Sequence, residues 1–151
     1  MKIEVDAGGP LEEIKKLLEE YPSSIPVPLE TDFEQWLREL PGPYVPPRGA
    51  LLVARVDGES AGCVLLHPLD DDAGEVKRLY VRDAFRRAGV GRALVGELVA
   101  VARAAGYRCL RLDTHSTMTA AQNLYRSFGF VEIPAYWDHP VAGVVFFELV
   151  L

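Results

Sequence analysis

The sequence of 151 residues contains only two cysteines and no apolar run long enough to span a bilayer. Cys63 and Cys109 each lie in an apolar stretch typical of a strand, so we expect two buried free thiols. A disulfide scaffold would carry more cysteines and a zinc site would need clustered ligands, so we expect neither a disulfide nor a bound metal. The start, MKIEVDAGG, has no signal-peptide apolar region, and we expect a cytoplasmic protein that does not bind membranes.

Positive charge is also scarce, because 16 lysines and arginines face 22 acidic residues, for a net charge of −6. This balance argues against general affinity for nucleic acid or an anionic membrane. The exception is the stretch 77–92, where Asp83 is the single acidic residue among the basic residues Lys77, Arg78, Arg82, Arg86, Arg87 and Arg92. The length and the 49% hydrophobic content predict one folded domain over residues 1–151.

Two amphipathic helices are predicted in the first forty residues. PLEEIKKLLEE begins with a proline suited to a first helical turn and carries apolar residues at helical spacing. TDFEQWLREL has a possible capping box between Thr31 and Glu34. The proline-rich segments YPSSIPVP and PGPYVPPRG are expected to interrupt regular structure.

From residue 50 onward, strands and helices are predicted to alternate. ALLVARV and AGCVLLHP form a hairpin around Asp57-Gly58. We then predict a strand over 75–81, a helix closed by Gly106, a strand over 107–113, a helix stopped by Gly129 and final strands in FVEI and VAGVVFFELVL. This order predicts an α/β fold with a mixed, mostly antiparallel central sheet and helices on both faces. A right-handed crossover would make strands 75–81 and 107–113 parallel and place RRAGVG at the carboxyl edge of the first.

The segment RRAGVG, residues 86–91, has the composition of an anion-binding loop. Glycines allow a tight turn and a close ligand, and a helix start offers N–H groups without intrahelical acceptors. Arginines at 86, 87 and 92 suit a ligand with several phosphate groups, so the stretch predicts a pyrophosphate site. A Walker A loop would need GK[ST] where Arg92 and Ala93 follow Gly91, and a dinucleotide fingerprint would need glycine at Leu94. ATP-binding and NAD-binding domains are therefore disfavoured.

The loop resembles the phosphate-loop signature of the GCN5-related N-acetyltransferase (GNAT) family, which Arg86-Arg87-Ala88-Gly89-Val90-Gly91 matches. EVKRLYVRDAFR before it and NLYRSFGF after it resemble the same family in the same order. The resemblance implies acetyl-CoA as co-substrate without a metal, and a GNAT-like fold in which the strand matching 75–81 splays away from that matching 107–113. It implies a coenzyme site made of Leu79, Tyr80, Val81, Arg86, Arg87, Ala88, Gly89, Val90, Gly91, Arg92, Asn123 and Tyr125.

The resemblance also implies roles in acetyl transfer. Tyr125 matches the tyrosine that protonates the coenzyme sulfur, a role that suits a phenol of pKa about 10 beside a thiol of about 8.5; otherwise it is a core aromatic. Glu75 stands where relatives place the general base and would need burial or a relaying water, and otherwise it is an exposed charge. His115 is an alternative base because imidazole titrates near neutral pH, and Asp113 is a candidate for orienting the loop or the substrate.

The acceptor is less constrained by the sequence, and both a small-molecule amine and a peptide amine remain open. By resemblance, the acceptor pocket lies near Tyr21, Trp36, Tyr44, Tyr136 and Trp137. A weak preference for a cationic amine is suggested by Asp70, Asp71, Asp72, Glu75 and Asp138. A different class of function is a non-catalytic module that senses acyl-CoA, which would keep Gly89 and Gly91 without needing Tyr125. The apolar end VVFFELVL suggests a homodimer.

Overall fold

A computed structural model of the protein describes residues 1–26, 29 and 32–151. Its strands are β1 (Ile3–Asp6), β2 (Ala50–Val56), β3 (Glu59–Pro68), β4 (Ala73–Val81), β5 (Cys109–His115), β6 (Val131–Ile133) and β7 (Val144–Val150). Its α-helices are α1 (Leu11–Ser24), α2 (Phe33–Arg38), α3 (Val90–Ala104) and α4 (Thr119–Ser127).

The strands form one sheet in the order β1-β2-β3-β4-β5-β7-β6. The pair β4 and β5 is parallel and the other neighbours are antiparallel, so the mixed, mostly antiparallel sheet predicted from the sequence is confirmed. α3 connects the parallel pair, as the crossover prediction required. The hairpin of β2 and β3 turns at Asp57 and Gly58, both of which have positive φ.

Alternating side chains of the sheet build two hydrophobic cores, one on each face. On β2, Leu52 and Ala54 belong to the core that contains the buried residues of α3, whereas Leu51 and Val53 belong to the core that contains those of α1. This alternation follows from the two-residue period of a strand. Each fully buried leucine contributes roughly 1.5–3 kcal/mol, so both helical layers are held mainly by apolar burial.

Several details at the N-terminal end differ from the sequence predictions. β1 was not predicted, because four residues with incomplete burial give a weak alternation signal, and its strand character depends on pairing with β2. α1 continues to Ser24 through Pro22, where a proline in the last turn removes few intrahelical bonds. The predicted Thr31 capping box involves a residue outside those described, and the carboxylate of Asp32 instead caps α2 by accepting from the Gln35 amide.

The boundaries and pairing of β4 and β5 create the opening on which the site depends. β4 begins at Ala73, two residues before its predicted start, and β5 covers Cys109–His115 rather than 107–113. Their parallel register pairs Ala73, Gly74 and Glu75 with residues 109–111 and does not continue beyond. The register against β3 shifts between Cys63 and Leu65, near Arg78, which has a φ of +57°. The carboxyl half of β4 thus departs from regular pairing.

Both cysteines are free and buried, as predicted, and burial raises the pKa of each thiol. Neither thiol is a good nucleophile in this setting. Of the helices within the described ranges, none combines the length and apolarity needed to cross a bilayer.

Candidate functional site

The start of α3 presents main-chain amides that have no intrahelical acceptor. Gly89 precedes the helix with a φ of +88°, and Arg87 also lies in the left-handed region with a φ of +65°. The first intrahelical bond runs from the Ala93 amide to the Gly89 carbonyl over 3.0 Å. The amides of residues 90–92 therefore point out of the helix end, where the helix dipole adds partial positive charge.

A groove of about 780 Å³ lies in front of this helix start, and we call it the glycine-loop groove. Of the predicted coenzyme contacts, those that line it are Leu79, Tyr80, Val81, Arg86, Arg87, Gly89, Val90, Gly91 and Arg92. Thr119, Ala120 and Leu124 of α4 also line it. Ala88 and Asn123 are outside this lining, and Asn123 is exposed on α4. The structure thus brings most of the predicted set to one wall.

A second space of about 90 Å³ opens between β4 and β5 where their pairing has ended, and we call it the interstrand cavity. Its walls include Leu79 from β4 and Asp113 and His115 from β5. Leu79, Met118 and Ala121 line both this cavity and the glycine-loop groove. The two spaces therefore adjoin, and an elongated ligand can lie across both.

Tyr125 of α4 lines the interstrand cavity. Its residue surface is 5% exposed, and its ring lies 5.5 Å from the Phe130 ring, centroid to centroid. Within the described ranges, its hydroxyl makes no hydrogen bond. Burial is the main cause that raises the pKa of this phenol above its ordinary value, so the group stays protonated at neutral pH. The core-aromatic and proton-donor interpretations are both compatible with this position, since the ring packs against Phe130 and the residue lines the cavity.

Glu75 is buried in a network of hydrogen bonds, and its interpretation as an exposed charge is wrong. Its residue surface is 4% exposed. Oε1 lies 2.7 Å from His67 Nε2 and 3.3 Å from Lys77 Nζ, and Oε2 accepts from the Tyr136 hydroxyl over 2.5 Å. Burial by itself raises the pKa of Glu75, but these hydrogen bonds and the charge of Lys77 outweigh it and hold the pKa below its ordinary value. The carboxylate is therefore ionised and fully surrounded.

His67 belongs to this network and is not among the site residues predicted from the sequence. Its Nδ1 lies 3.0 Å from the Pro68 carbonyl, and its Nε2 faces the Glu75 carboxylate, so both ring nitrogens face acceptors. The β3–β4 register places His67 directly opposite Glu75, so a correct hairpin alignment would have identified the pair.

Asp113 of β5 contacts the loop that precedes β7. Its Oδ2 accepts from Trp137 Nε1 over 2.9 Å and lies 4.0 Å from Lys77 Nζ, and its Oδ1 lies 3.9 Å from His139 Nε2. The sequence prediction placed Asp113 toward the loop that carries His115 or toward the substrate, whereas these contacts join it to the loop before β7. Lys77, Asp113 and His139 all line the interstrand cavity, which therefore has a polar wall of both charge signs.

His115 also supports that loop. Its Nδ1 accepts from the Thr117 amide over 3.2 Å, and its Nε2 donates to the Ala142 carbonyl over 2.9 Å. The neighbouring Ser116 amide donates to the Gly143 carbonyl over 2.8 Å. With both ring nitrogens occupied, His115 has no available lone pair for proton abstraction, and its geometry favours a structural role over a catalytic one.

The predicted acceptor-pocket residues fall into two groups that meet around Glu75. Tyr21 and Trp36 belong to an aromatic cluster with Phe33, above which the Arg78 guanidinium lies 4.8 Å from the Trp36 ring centroid. Tyr44 continues this cluster and lies 5.3 Å from the His67 ring. On the other side, Tyr136 contacts Glu75 and Trp137 contacts Asp113. Tyr136 and Tyr44 thus form aromatic surface beside the buried carboxylate, the first by direct contact and the second through His67.

The acidic cluster before β4 has a structural role in a turn. Asp70 accepts from the amides of Asp72 and Ala73, and Asp72 lies 3.4 Å from Arg108. This turn adjoins the amino end of β4, whereas the interstrand cavity opens at the carboxyl half. Asp71 and Asp138 are exposed. Among the acidic residues considered for a cationic acceptor, Glu75 is the one buried beside this aromatic surface, so the turn cluster gives that preference no support.

Comparisons with known proteins agree with this architecture. The sequence matches the family model for the acetyltransferase (GNAT) family over residues 11–130. It is 38% identical over 144 residues to an uncharacterised N-acetyltransferase of Schizosaccharomyces pombe, a match that covers 92% of this chain and 87% of that protein. Matches to several other curated relatives cover less than half of the relative's length.

Solved structures share the fold over nearly the whole chain. An acetyltransferase from Streptococcus agalactiae superposes with a TM-score of 0.78 at 19% identity, covering 99% of this chain and 98% of that one. A GNAT family acetyltransferase from Elizabethkingia anophelis with acetyl-CoA bound gives 0.70 at 21% identity, with the same coverage. These likenesses show the fold, and the match to the family model together with the Schizosaccharomyces pombe relative shows that the chain belongs to the GNAT family of N-acetyltransferases.

Proposed function

We propose that this protein transfers the acetyl group of acetyl-CoA to a primary amine by direct attack in a ternary complex. The observation that carries the proposal is the adjoining pair of spaces, one lined by residues 90–92 at the start of α3 and the other by Tyr125. A coenzyme with a diphosphate at one end and a thioester at the other matches this arrangement. The fold neighbour from Elizabethkingia anophelis has acetyl-CoA bound, which supports the choice of coenzyme.

The glycine-loop groove supplies donors for the diphosphate. The amides at the start of α3 provide directional hydrogen bonds, and Arg86, Arg87 and Arg92 line the same groove. Beyond Glu75, the edge of β4 that faces β5 is not engaged in the parallel ladder. We propose that main-chain groups near Leu79 and Val81 pair with the pantetheine arm there, as another strand would.

Acetyl transfer requires three proton and charge movements, and Tyr125 is suited to one of them. The amine nitrogen attacks the thioester carbonyl, the tetrahedral intermediate collapses, and the C–S bond breaks to leave a thiolate. Tyr125 gives its hydroxyl proton to that sulfur, forming free coenzyme A, and is reprotonated from solvent. This hydroxyl has no hydrogen-bond partner within the described ranges, so no other acceptor competes with a ligand for its proton.

We propose Glu75 as the final acceptor of the amine proton, reached through the Tyr136 hydroxyl. Direct contact between an amine and Glu75 is obstructed, because both carboxylate oxygens already face donors. Tyr136 can accept a proton from the attacking amine while passing its own to Glu75 Oε2, 2.5 Å away. The lowered pKa of Glu75 weakens this base, so the relay works only as the amine becomes strongly acidic on bond formation.

Two experiments test the proposed function in sequence. Thermal-shift measurements with acetyl-CoA, ATP and NAD identify the ligand, because a ligand at a hundred times its Kd stabilises the protein by about 2.7 kcal/mol. We expect acetyl-CoA alone to raise Tm. A thiol-release screen over small-molecule and peptide amines then identifies the acceptor. Binding without thiol release across the screen would favour a module that senses acyl-CoA.

A further inference from the structure

A carboxylate of α1 is attached to the end of β4, shortly before residues 86–91, which we call the glycine loop. Glu20 Oε1 accepts from the Tyr80 hydroxyl over 2.7 Å, and its two oxygens accept from Arg82 Nε over 2.9 Å and from Arg82 Nη2 over 2.7 Å. The Arg82 hydrogen bonds are the largest cause that holds the pKa of Glu20 below its ordinary value. Burial, and after it the contact with the same carboxylate, raises the pKa of Tyr80 to about 12.

Arg82 is the residue through which this contact reaches the loop. Its guanidinium also donates to the Ser60 carbonyl over 2.9 Å, and its amide donates to the Ala61 carbonyl over 2.8 Å. Its own carbonyl accepts from the Phe85 amide over 2.9 Å and so begins the 3₁₀ turn Asp83–Phe85. That turn leads directly into Arg86 and the glycine loop. The direction in which the chain enters the loop therefore depends on how Arg82 is held.

The end of α1 also contributes to the lining of the same space. Ser24, Ile25 and Pro26, at and beyond the end of α1, line the glycine-loop groove, whereas Glu20 does not. A contact between Glu20 and Arg82 thus fixes two walls of the groove relative to each other without entering it. Binding sites need their contact groups held to within about 0.5 Å, which makes such supporting contacts measurable in affinity.

We propose that Glu20 is a positioning residue of the coenzyme site, acting through Arg82 and Tyr80 to set the geometry of the glycine loop and the end of β4. This inference rests on the proposed function, because it assigns the groove to a coenzyme. It also changes the interpretation of Arg82, which belongs to the basic stretch in sequence but supports the loop from behind. A neutral glutamine at position 20 retains size and loses the charge-assisted bonds to Arg82.

The chain offers a matched control on the same helix. Glu13 of α1 accepts from Arg55 Nε over 3.0 Å and from Arg55 Nη2 over 2.6 Å, and it also contacts the Ser60 hydroxyl. This contact resembles the Glu20 contact in type and partial exposure, but it connects α1 to β2 and β3, away from the glycine loop. Arg82 donates to the main-chain carbonyl of Ser60, and the backbone of Ser60 is held by the β2–β3 pairing. Loss of the contact between Glu13 and the Ser60 hydroxyl therefore leaves the Arg82 hydrogen bond in place.

The test compares Glu20→Gln and Glu13→Gln in the full-length protein. Isothermal titration with coenzyme A measures Kd, and a thermal melt without ligand measures Tm. We expect both variants to lower Tm similarly, Glu20→Gln to weaken coenzyme A binding by about tenfold, and Glu13→Gln to leave Kd within about twofold of the wild type. Equal Kd changes in the two variants, or no change in Glu20→Gln, would overturn the inference.

A double variant tests whether Glu20 acts through Arg82. If it does, Glu20→Gln combined with Arg82→Gln binds coenzyme A no more weakly than the weaker of the two single variants. Fully additive losses would show that the two residues act independently and would contradict the proposal. Failure of the wild type itself to bind coenzyme A would refute the proposed function, and it is distinguished from failure of this inference because wild-type affinity is measured first.

Discussion

Replacement of Tyr125 by phenylalanine separates packing from chemistry at the centre of the site. The substitution removes one oxygen and retains the ring that lies 5.5 Å from the Phe130 ring. No hydrogen bond from this hydroxyl to the rest of the described chain is lost. The free energy of unfolding should therefore change by less than about 0.5 kcal/mol, as for substitutions that disturb neither packing nor a bonded polar group.

The effect on turnover should be much larger than the effect on stability. A positioned general acid contributes about 10² to 10⁴ in rate, so we expect kcat of Tyr125→Phe to fall by at least about a hundredfold. Coenzyme A affinity should be retained, because the diphosphate contacts lie at the start of α3. Since burial raises the pKa of Tyr125, the wild-type phenol should remain protonated across a neutral pH range, and its titration should not shape the rate profile there.

The assay is thiol release at saturating acetyl-CoA, with urea unfolding and coenzyme A titration on the same preparations. Unchanged kcat with intact folding would remove Tyr125 from the chemistry and leave it as a core aromatic. A variant that retains kcat but binds coenzyme A poorly would instead assign the hydroxyl to ground-state binding.

The other predictions concern the loop and the buried carboxylate. Arg86→Glu with Arg87→Glu should raise KM for acetyl-CoA sharply and alter kcat less, and an unchanged KM would contradict their assignment to the groove. Gly89→Ala forces a side chain to a φ of +88° and should cost about 1–3 kcal/mol in urea unfolding with weaker coenzyme A binding, whereas Gly58→Ala, at a φ of +86° in the hairpin turn, should lower stability with unchanged Kd. Glu75→Gln should cost about 3 kcal/mol at pH 7, because it removes the ionised acceptor that faces Lys77, His67 and Tyr136. Since the folded-state pKa of Glu75 lies below its ordinary 4.5, this cost should be fully present above pH 4.5 and diminish as pH falls through the lower folded value; a constant difference down to acid pH would refute the ionised carboxylate.

The sequence was sufficient to predict the elements whose signals are local. The β2–β3 hairpin follows from alternation around Asp57 and Gly58, and the crossover from β4 through α3 to β5 follows from order and handedness. The glycine loop was located by composition, and the structure places it at the start of α3. β1 was missed because its strand character comes from its partner, which lies about fifty residues away in sequence.

The contact partners of the charged side chains could not be predicted in the same way. The basic stretch sends its side chains to three different places. Lys77 faces Glu75, Arg82 faces Glu20, and Arg86 lines the glycine-loop groove. The partners of Arg82 and of the Glu75 carboxylate include residues more than sixty positions away, Glu20 and Tyr136. Such contacts depend on how helices and loops dock on the sheet, which no local pattern specifies.

A crystal structure of the protein with acetyl-CoA would test the proposed site most directly. We predict that the diphosphate accepts hydrogen bonds from the amides of residues 90–92 and that the thioester sulfur lies within hydrogen-bonding reach of the Tyr125 hydroxyl. Coenzyme bound elsewhere, or bound with its sulfur remote from Tyr125, would contradict it.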